Sequence, residues 1–388
     1  MVAYTFYEND GRVIRYAQAL RGRGDEVDVI SLRRPNQSDY DEINQISIYR
    51  VQTRHSDEKK GKLNYLVRLV KFLIRSSRML MRLNKRHKYD LIHVHSVPDF
   101  QVFAAWWCKL RGSKIILDIH DIVPEFYASK FTISKDSLVF KMLVWVERAS
   151  IAFSDHVIIA NDIWKERLLS RSVKNDKKCT SIINYPDTAM FKRDRPVRKS
   201  QKKFVLLYPG TINHHQGLDI AVKAFSLIKN EIPEAEFQIY GEGPDKEKIK
   251  VLINELRLND RIEIMDPLPI LQIIELMSKA DLGIVPKRSD GFGDEAFSTK
   301  TMEFMALGVP VVISNTKIDR YYFNEDIAFF FNSGDERDLA QNILNIYQNE
   351  ALRHLRASNA LAFIENNNWE IKKKIYFNIV DRIREMQE

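Results

Sequence analysis

Short apolar runs alternate with longer amphipathic runs along the chain, and this alternation occurs in two successive blocks. A short apolar run is typical of a buried strand, and a longer amphipathic run is typical of a helix. Strands that alternate with helices form parallel sheets with helices on both faces. The sequence therefore predicts two doubly wound α/β domains. The predicted strands span 2–5, 27–31, 46–51, 91–94, 114–119, 156–159 and 180–183, and then 204–208, 236–240, 261–264, 282–285, 309–313 and 328–331.

A polar boundary separates the two blocks. A chain of 388 residues is long enough for two domains. The stretch 187–202 is basic and has no periodicity, which indicates a linker. We therefore predict an N-terminal domain over 1–186, a C-terminal domain over 203–366 and a final helix within 367–388. The predicted helices include 12–23, 63–85, 100–111, 138–153 and 163–170, with a helical tail over 335–387.

Composition excludes several classes of protein. The two cysteines, Cys108 and Cys179, are too few for a disulfide framework or a cysteine metal cluster, which favours a reducing compartment. The first residues lack the apolar core of a signal peptide, and no apolar stretch reaches the length that crosses a bilayer. We therefore expect a cytoplasmic protein.

Most of the net charge of +8 comes from one segment. Residues 59–88 contain many lysines and arginines and no acid, and six of these cations recur every three or four residues, as on one helix face. A surface helix packed on its own domain explains this pattern. A helix over 62–88 that lies on anionic lipid, as a peripheral contact with the inner face of the cytoplasmic membrane, explains it equally. Nucleic acid is not expected, because no helix-turn-helix, zinc or aromatic-basic motif accompanies the charge.

In doubly wound sheets, ligands bind beyond the carboxyl ends of the strands. In the first block these positions hold Gly11 at a helix start, His95 after strand 91–94 and His120 after strand 114–119. The lone glycine favours an ordinary tight turn over a phosphate site. His95 is expected to face the mouth of a cleft between the domains. His120 lies beside an acid, and histidine shares protons near neutral pH, so structural and functional interpretations of it both stand.

In the second block two strand-to-helix turns carry glycines, Gly210 in PGTINHHQG and Gly241 and Gly243 in YGEGP. Such turns allow a nucleotide to approach the backbone and expose helix N-terminal amides. Neither turn is a GxGxxG or a P-loop motif, so an ordinary dehydrogenase or P-loop enzyme is not indicated.

The stretch GDEAFSTKTMEFMALG places Glu295 in a loop and Glu303 in the first turns of a helix that Ser298 or Thr299 can cap. A nucleotide diphosphate sugar has two diol-bearing ends joined by a diphosphate. Two carboxylates can each accept hydrogen bonds from one diol, and the helix N-terminus between them can receive the diphosphate. Lys300 adds positive charge to that turn. The spacing therefore fits one donor that is held at both ends.

With these motifs in this order, the chain resembles a retaining glycosyltransferase of family 4, which has the GT-B fold with two Rossmann-like domains facing across a cleft. The resemblance rests on the E-x7-E pair, the PGT…QGLDIAVKAF segment, YGEGP and LDIHDIVPEFY, and it covers nearly the whole chain. Trp369 opens a final helix that crosses back onto the first domain in such folds. The resemblance implies a nucleotide-sugar donor, a glycan or lipid-linked acceptor and no cofactor.

The resemblance also implies residue roles. Glu303 would bind the donor ribose and Glu295 the sugar hydroxyls, while His120 would lie by the reacting sugar and His95 on the acceptor side. The Gly11 loop would close over the same site. The remaining donor-binding residues would be Gly210, Thr211, Gln216, Gly241, Gly243, Arg288, Phe297, Ser298, Thr299 and Lys300.

Two positions depart from the family pattern. The family often has arginine where Thr211 stands and lysine where Gln216 stands, so both usual diphosphate cations are absent. Lys300 and Arg288 are the hypothesised replacements. No metal site is expected, because the one D-x-D, at Asp39 and Asp41, is interpreted as a solvated turn. A sugar-nucleotide 2-epimerase and a non-catalytic sugar-nucleotide-binding subunit are the alternatives to a hexosyltransferase in bacterial surface polysaccharide assembly.

Overall fold

The computed structural model describes residues 1–55, 61–131, 133–192 and 203–385. Contacts divide the chain into two units, one that runs to Asn184 and resumes at Lys372, and one over Tyr185–Ile371. Of the linker predicted over 187–202, residues 193–202 lie outside the described residues. Each unit is a doubly wound α/β domain, so the predicted fold class is confirmed.

The first unit contains an eight-stranded sheet with the order β3-β4-β2-β1-β5-β6-β7-β8, in which only β3 runs antiparallel to its neighbour. A short 3-10 helix, Asp99–Ala105, directly precedes the α-helix that begins at Trp106. The elements are β1 Val2–Ala3, α1 Gly11–Arg23, β2 Asp28–Arg33, β3 Tyr40–Ile43, β4 Ile46–Thr53, α2 Lys62–Arg86, β5 Leu91–His95, α3 Trp106–Leu110, β6 Lys114–Ile119, α4 Val123–Phe131, α5 Leu138–Phe153, β7 His156–Ile159, α6 Asp162–Arg171 and β8 Cys179–Ser181.

The second unit contains a six-stranded, wholly parallel sheet with the order β11-β10-β9-β12-β13-β14. Its apolar core packs between the sheet and α7, α8 and α13. The elements are β9 Phe204–Pro209, α7 Leu218–Ile228, β10 Ala235–Tyr240, α8 Lys246–Glu255, β11 Ile262–Met265, α9 Ile270–Lys279, β12 Leu282–Val285, α10 Phe292–Glu295, α11 Thr299–Ala306, β13 Val311–Ser314, α12 Lys317–Tyr322, β14 Phe329–Phe331, α13 Glu336–Gln348 and α14 Glu350–Asn366. The last helix, α15 Trp369–Glu385, begins in this unit and belongs to the first unit from Lys372 onward.

The structure corrects the interpretation of the D-x-D stretch. Residues 40–43 form an edge strand joined to β4 by a two-residue hairpin turn, in which Asn44 and Gln45 have φ of 51° and 60°. Positive φ at both central residues is the geometry of a tight hairpin turn. Asp39 pairs with Arg33, and Asp41 pairs with Arg50 at 3.1 Å. Both acids are exposed, as predicted, at 77% and 48% of their side chains, but Asp41 lies in an edge strand and not in a turn.

Three helical regions also differ from the prediction. Helix α4 was not predicted, and the predicted helix 100–111 is divided into the 3-10 helix and α3. The predicted tail over 335–387 consists of three separate helices, because Asn349 and the 367–368 region interrupt it. Asn349 caps α14 by accepting a hydrogen bond from the Leu352 amide at 3.0 Å.

Candidate active site

A cavity of about 440 Å³ lies at the carboxyl ends of β9 and β10 in the second unit. This edge is where a doubly wound sheet presents its ligand site. The cavity brings together many of the predicted donor-binding residues. Its lining comprises Pro209, Gly210, Thr211, Tyr240, Gly241, Glu242, Pro267, Leu268, Ile273, Thr299, Lys300 and Glu303.

Gly210 and Gly241 line this cavity, Gly243 does not, and the turns that carry these glycines pack directly on each other. A Cβ on Gly241 would lie 1.9 Å from the Gly210 carbonyl oxygen, and one on Gly243 would lie 2.0 Å from the Ile212 carbonyl oxygen. The turns are also joined by hydrogen bonds from the Gly210 amide to the Tyr240 carbonyl and from the Ile212 amide to the Glu242 carbonyl. Gly241 and Gly243 thus serve the contact between the turns.

Lys300 lies over Gly210, where φ is +148° and a Cβ would come within 3.1 Å of the lysine Nζ. Its ammonium donates a hydrogen bond to Gln216 Oε1 at 3.1 Å and lies 5.2 Å from the centre of the Tyr208 ring. Burial, only partly offset by the Glu303 carboxylate, lowers the pKa of Lys300 to about 8. A half-buried cation whose direct hydrogen-bond acceptor is neutral is favourable for binding an anionic ligand.

The start of α11 faces the same region. Ser298 occupies the N-cap position, but its side chain makes no capping hydrogen bond. The buried hydroxyls of Ser298 and Thr301 have no hydrogen-bond partner within the described residues. The first amides of a helix lack intrahelical acceptors and carry positive potential. The α11 N-terminus can therefore donate to an anion.

Both glutamates of the E-x7-E pair are at least half-buried, but their surroundings differ. Glu303 is half-buried and lines the cavity. Glu295 is 8% exposed, and its Oε1 lies 3.3 Å from Lys317 Nζ. Sequence reasoning did not identify Lys317, nor the buried pair of Lys287 and Asp319 at 2.8 Å.

Other predicted donor residues do not line the cavity. Arg288 pairs with Asp219 at 2.5 Å, so its charge is already partly neutralised. Phe297 packs edge-on against Tyr322 with ring centroids 5.3 Å apart. Gln216 reaches the site through its contact with Lys300.

The first unit has a separate cluster at the end of β6. Asp118 is fully buried and accepts hydrogen bonds from Arg12 Nε and Nη2, both at 2.8 Å. Burial opposes ionisation of Asp118, but Arg12 and His120 outweigh it and hold the pKa of this carboxyl well below its usual range. The sequence analysis missed Asp118, although an acid inside the apolar strand KIILDI is a signal that could have identified it.

His120 is the partly exposed end of this cluster. Its side chain is 22% exposed, and its Nε2 lies 3.3 Å from Asp118 Oδ2 and 3.2 Å from His95 Nδ1. His95 was expected to face an opening, and that expectation is wrong, because the residue is 2% exposed. Its ring stacks on His93, whose Nδ1 lies 2.9 Å from the Tyr376 hydroxyl. Asp118 and His95 therefore fix the orientation of the His120 ring.

His93, His95 and Asp118 place three ligand-type atoms within 4.8 Å of one another. Both oxygens of Asp118 already accept hydrogen bonds from the Arg12 guanidinium. A divalent cation would compete with that buried positive charge, so the cluster does not fit a metal. Gly11, in turn, follows Asp10, whose carboxylate caps α1 by accepting from the amides of Arg12 and Val13.

Comparisons with known proteins match both units. A family model described as Glycosyltransferase Family 4 matches residues 12–184, and one described as Glycosyl transferases group 1 matches residues 190–362. A protein named for colanic acid biosynthesis, the glycosyltransferase WcaL of Escherichia coli (strain K12), is 25% identical over 191 residues, 49% of this chain and 47% of that protein. The chain thus spans about half the length of this relative.

Solved structures resemble the chain over nearly its full length. Sucrose-phosphate synthase from Thermosynechococcus elongatus has a TM-score of 0.78 at 18% identity, with 98% of each chain covered. HepE of Anabaena, solved in complex with UDP-glucose, has a TM-score of 0.73 at 16% identity, also with 98% of each chain covered. At this identity the likeness shows the fold alone, and it confirms the GT-B fold class. Within the described residues, every helix is too short or too polar to cross a bilayer.

Proposed function

From the premise that the chain belongs to the glycosyltransferases of the GT-B fold, with a family 4 domain followed by a group 1 domain, we propose that it is a retaining, metal-independent hexosyltransferase. The donor is a nucleotide diphosphate sugar, and the acceptor is a glycan or a lipid-linked glycan. The observation that carries this proposal is the cavity in which Lys300, Glu303 and the start of α11 converge.

The donor lies across this cavity with its diphosphate at Lys300 and the first amides of α11. Glu303 accepts hydrogen bonds from the ribose hydroxyls, and Glu295 contacts the hexose hydroxyls. The base rests against Gly241, Pro267 and Leu268, largely on main-chain and apolar groups. Lys300 supplies the charge that Thr211 and Gln216 lack. Arg288 contributes less than Lys300, because Asp219 already holds its guanidinium.

The reaction proceeds by attack on the same face as the leaving group. The bond between the anomeric carbon and the donor phosphate oxygen breaks while the acceptor hydroxyl oxygen bonds to that carbon. The acceptor proton passes to the departing diphosphate, which leaves as the nucleoside diphosphate. Lys300 and the oriented α11 amides stabilise the negative charge that develops on the diphosphate. His120 is the proposed catalytic residue of the first unit, because its ring is the accessible end of an otherwise buried cluster.

Donor kinetics test this assignment. Lys300→Ala is expected to raise the donor KM by roughly tenfold or more, because it removes a partly desolvated cation. Lys250→Ala, an exposed lysine that pairs with Glu247 in the same unit, is the matched control. Unchanged donor kinetics in Lys300→Ala would refute the role of this lysine. Conversion of the donor to an epimer without acceptor would overturn the transferase proposal in favour of an isomerase.

A polysaccharide pathway at the cytoplasmic membrane is part of the proposal. WcaL, by its name, acts in colanic acid biosynthesis. The exposed cations of α2, including Lys71, Arg75 and Arg78, provide a surface for anionic lipid. Sedimentation with vesicles that contain phosphatidylglycerol tests this contact. Binding that weakens with salt is expected, and an absence of salt-sensitive binding would remove the α2 contact from the proposal.

A further inference from the structure

The N-terminal half of α5 exposes an apolar surface, which is distinct from the basic surface of α2. We propose that Leu138, Val139, Met142 and Trp145, here called the α5 face, insert into the surface of an anionic bilayer, and that the acceptor is an amphiphile within that bilayer. The inference rests on the proposed function, and it locates the acceptor of that transferase reaction in the bilayer.

Exposure of the α5 face is unusually high for such side chains. Leu138 is 85% exposed, Trp145 67% and Met142 58%. The opposite side of the helix carries Phe140, Glu147 and Ile151, which are buried in the domain. The apolar residues at 138, 142 and 145 therefore form one stripe on the solvent side. A contiguous exposed apolar stripe of this kind is typical of a surface that binds a membrane or another protein.

Topology places the α5 face at the edge of the sheet that carries His120. Strand β6 ends at Ile119, directly before His120, and α5 then runs back toward the start of the parallel strand β7. The first half of α5 is therefore at the carboxyl edge and its second half at the amino edge. An acceptor head group presented at this edge would lie beside the His120 end of the first unit.

Helix α2 provides a second exposed apolar stripe at the same edge, since it follows β4 and its N-terminal half lies there too. The 3-10 helix Asp99–Ala105 lies between α2 and α5, because Gln101 donates to the Leu69 carbonyl at 2.9 Å and Phe103 packs on Phe153. Both helices therefore cover one face of the sheet. The exposed apolar residues of this part of α2 are Leu63, Leu66, Val67, Val70 and Ile74.

The charge around both stripes favours an anionic lipid surface over an apolar protein partner. The exposed Lys135 and Lys141 lie next to the α5 face along the chain and the exposed Lys130 lies in the last turn of the preceding helix, while Asp136 is the one acid in the sequence between residues 126 and 146. Residues 61–86 contain no acid at all. An amphipathic helix with apolar and basic residues in this arrangement lies in the plane of a membrane interface, with tryptophan at head-group depth.

Partition of the full chain into vesicles tests the α5 face. The double variant Leu138→Ser/Met142→Ser is compared with Leu271→Ser/Leu355→Ser, which removes two similarly exposed side chains, 69% and 58%, from the second unit. Vesicles of phosphatidylcholine with phosphatidylglycerol are the probe, without donor or acceptor. The α5 variant is expected to partition roughly tenfold more weakly, and the control like the wild type. The difference should persist at high salt, because its origin is apolar.

Three outcomes would overturn the inference. The α5 variant could partition into vesicles as strongly as the wild type, or the control variant could lose as much partition as the α5 variant. In the third outcome, the α5 variant binds vesicles normally but no longer self-associates with increasing concentration as the wild type does. The last result would assign the α5 face to a second copy of the chain. Turnover with a soluble glycan acceptor separates this test from the proposed function, because the α5 variant should keep that activity. A variant that binds vesicles weakly and still turns over the donor supports the inference.

Discussion

The Asp118 cluster in the first unit and the Lys300 cavity in the second handle charge in opposite ways. Arg12 neutralises Asp118 with two hydrogen bonds inside the protein, and burial lowers the pKa of His93 and of His95. Lys300 is half-buried, and its direct hydrogen-bond acceptor is the neutral amide of Gln216. In the first arrangement the charge of Asp118 is balanced without a ligand, and the cluster orients the His120 side chain. The second is stabilised when an anion arrives.

The largest expected effect is on the stability of the first unit. Asp118→Asn should lower its free energy of unfolding by about 3 kcal/mol, because Arg12 is left buried without its counter-charge. Urea denaturation measures the loss. The double variant Arg12→Met/Asp118→Leu should recover part of it, since neither charge remains. Full stability of Asp118→Asn would show that the cluster does not depend on ionic pairing.

The second effect is the acid sensitivity of the same cluster. Burial lowers the pKa of His93 well below 6.5, so below about pH 6.5 the unfolded chain binds a proton that the native His93 does not. Between pH 7 and pH 5 the wild type should therefore lose about 2 kcal/mol more stability than His93→Gln. Urea titrations at the two pH values measure this difference. Burial raises the pKa of Asp99 to about 7, but this group contributes equally to the pH dependence of both proteins, so its effect cancels in the comparison. Equal losses would mean that native His93 is protonated as easily as an exposed histidine.

The third effect is the pH dependence of donor binding, which is expected at the Lys300 cavity and not at a site whose cation is already paired with an acid. Because the pKa of Lys300 is lowered to about 8, the cationic form that binds the diphosphate disappears above that pH. The donor KM should rise by up to about tenfold per pH unit above pH 8. Lys300→Arg, which stays charged, should flatten this rise. A rise of the same size in both proteins would assign the titration to another group.

The smallest expected effect concerns the support for Lys300. Gly210→Ala introduces a Cβ 3.1 Å from Nζ and should raise the donor KM several-fold, roughly 1 kcal/mol of binding, by displacing the ammonium. Gly334→Ala is the control, since φ there is +88° but no atom lies within 4 Å of the added Cβ. Steady-state kinetics on both variants distinguish displacement of Lys300 from backbone strain alone.

The two units also differ in how much of them the sequence predicted. Strands 114–119, 156–159 and 282–285 were predicted with the bounds the structure has, because each is a short, mostly apolar run that is largely buried. Edge strand β3 was missed because both of its faces are largely exposed, so YDEI has no apolar alternation. Helix α4 was missed because its nine residues are fewer than the roughly 10 to 12 over which an apolar pattern identifies a helix.

At the candidate sites, sequence motifs identified the residues on turns and missed those that arrive from distant elements. Gly210 follows a strand, and Lys300 and Glu303 lie in the first turns of a helix. The order of strands and helices in the sequence was therefore enough to place them at the cavity. Arg12 and Tyr376 reach the Asp118 cluster from α1 and α15, and no local pattern indicates such a meeting. The burial of His95 depends on the same distant packing. Its position at a strand end suggested exposure, but neighbouring aromatic rings cover it.

The interlocked glycine turns beneath the Lys300 cavity limit how its ligand preference can be re-engineered. Because the carbonyls of Gly210 and Ile212 occupy the space where side chains at 241 and 243 would begin, neither turn can be enlarged without displacing the other. Selection for a different nucleotide would therefore act on the walls, at Ile273, Leu268 and Glu242, whose side chains can be exchanged while the backbone beneath them keeps its shape.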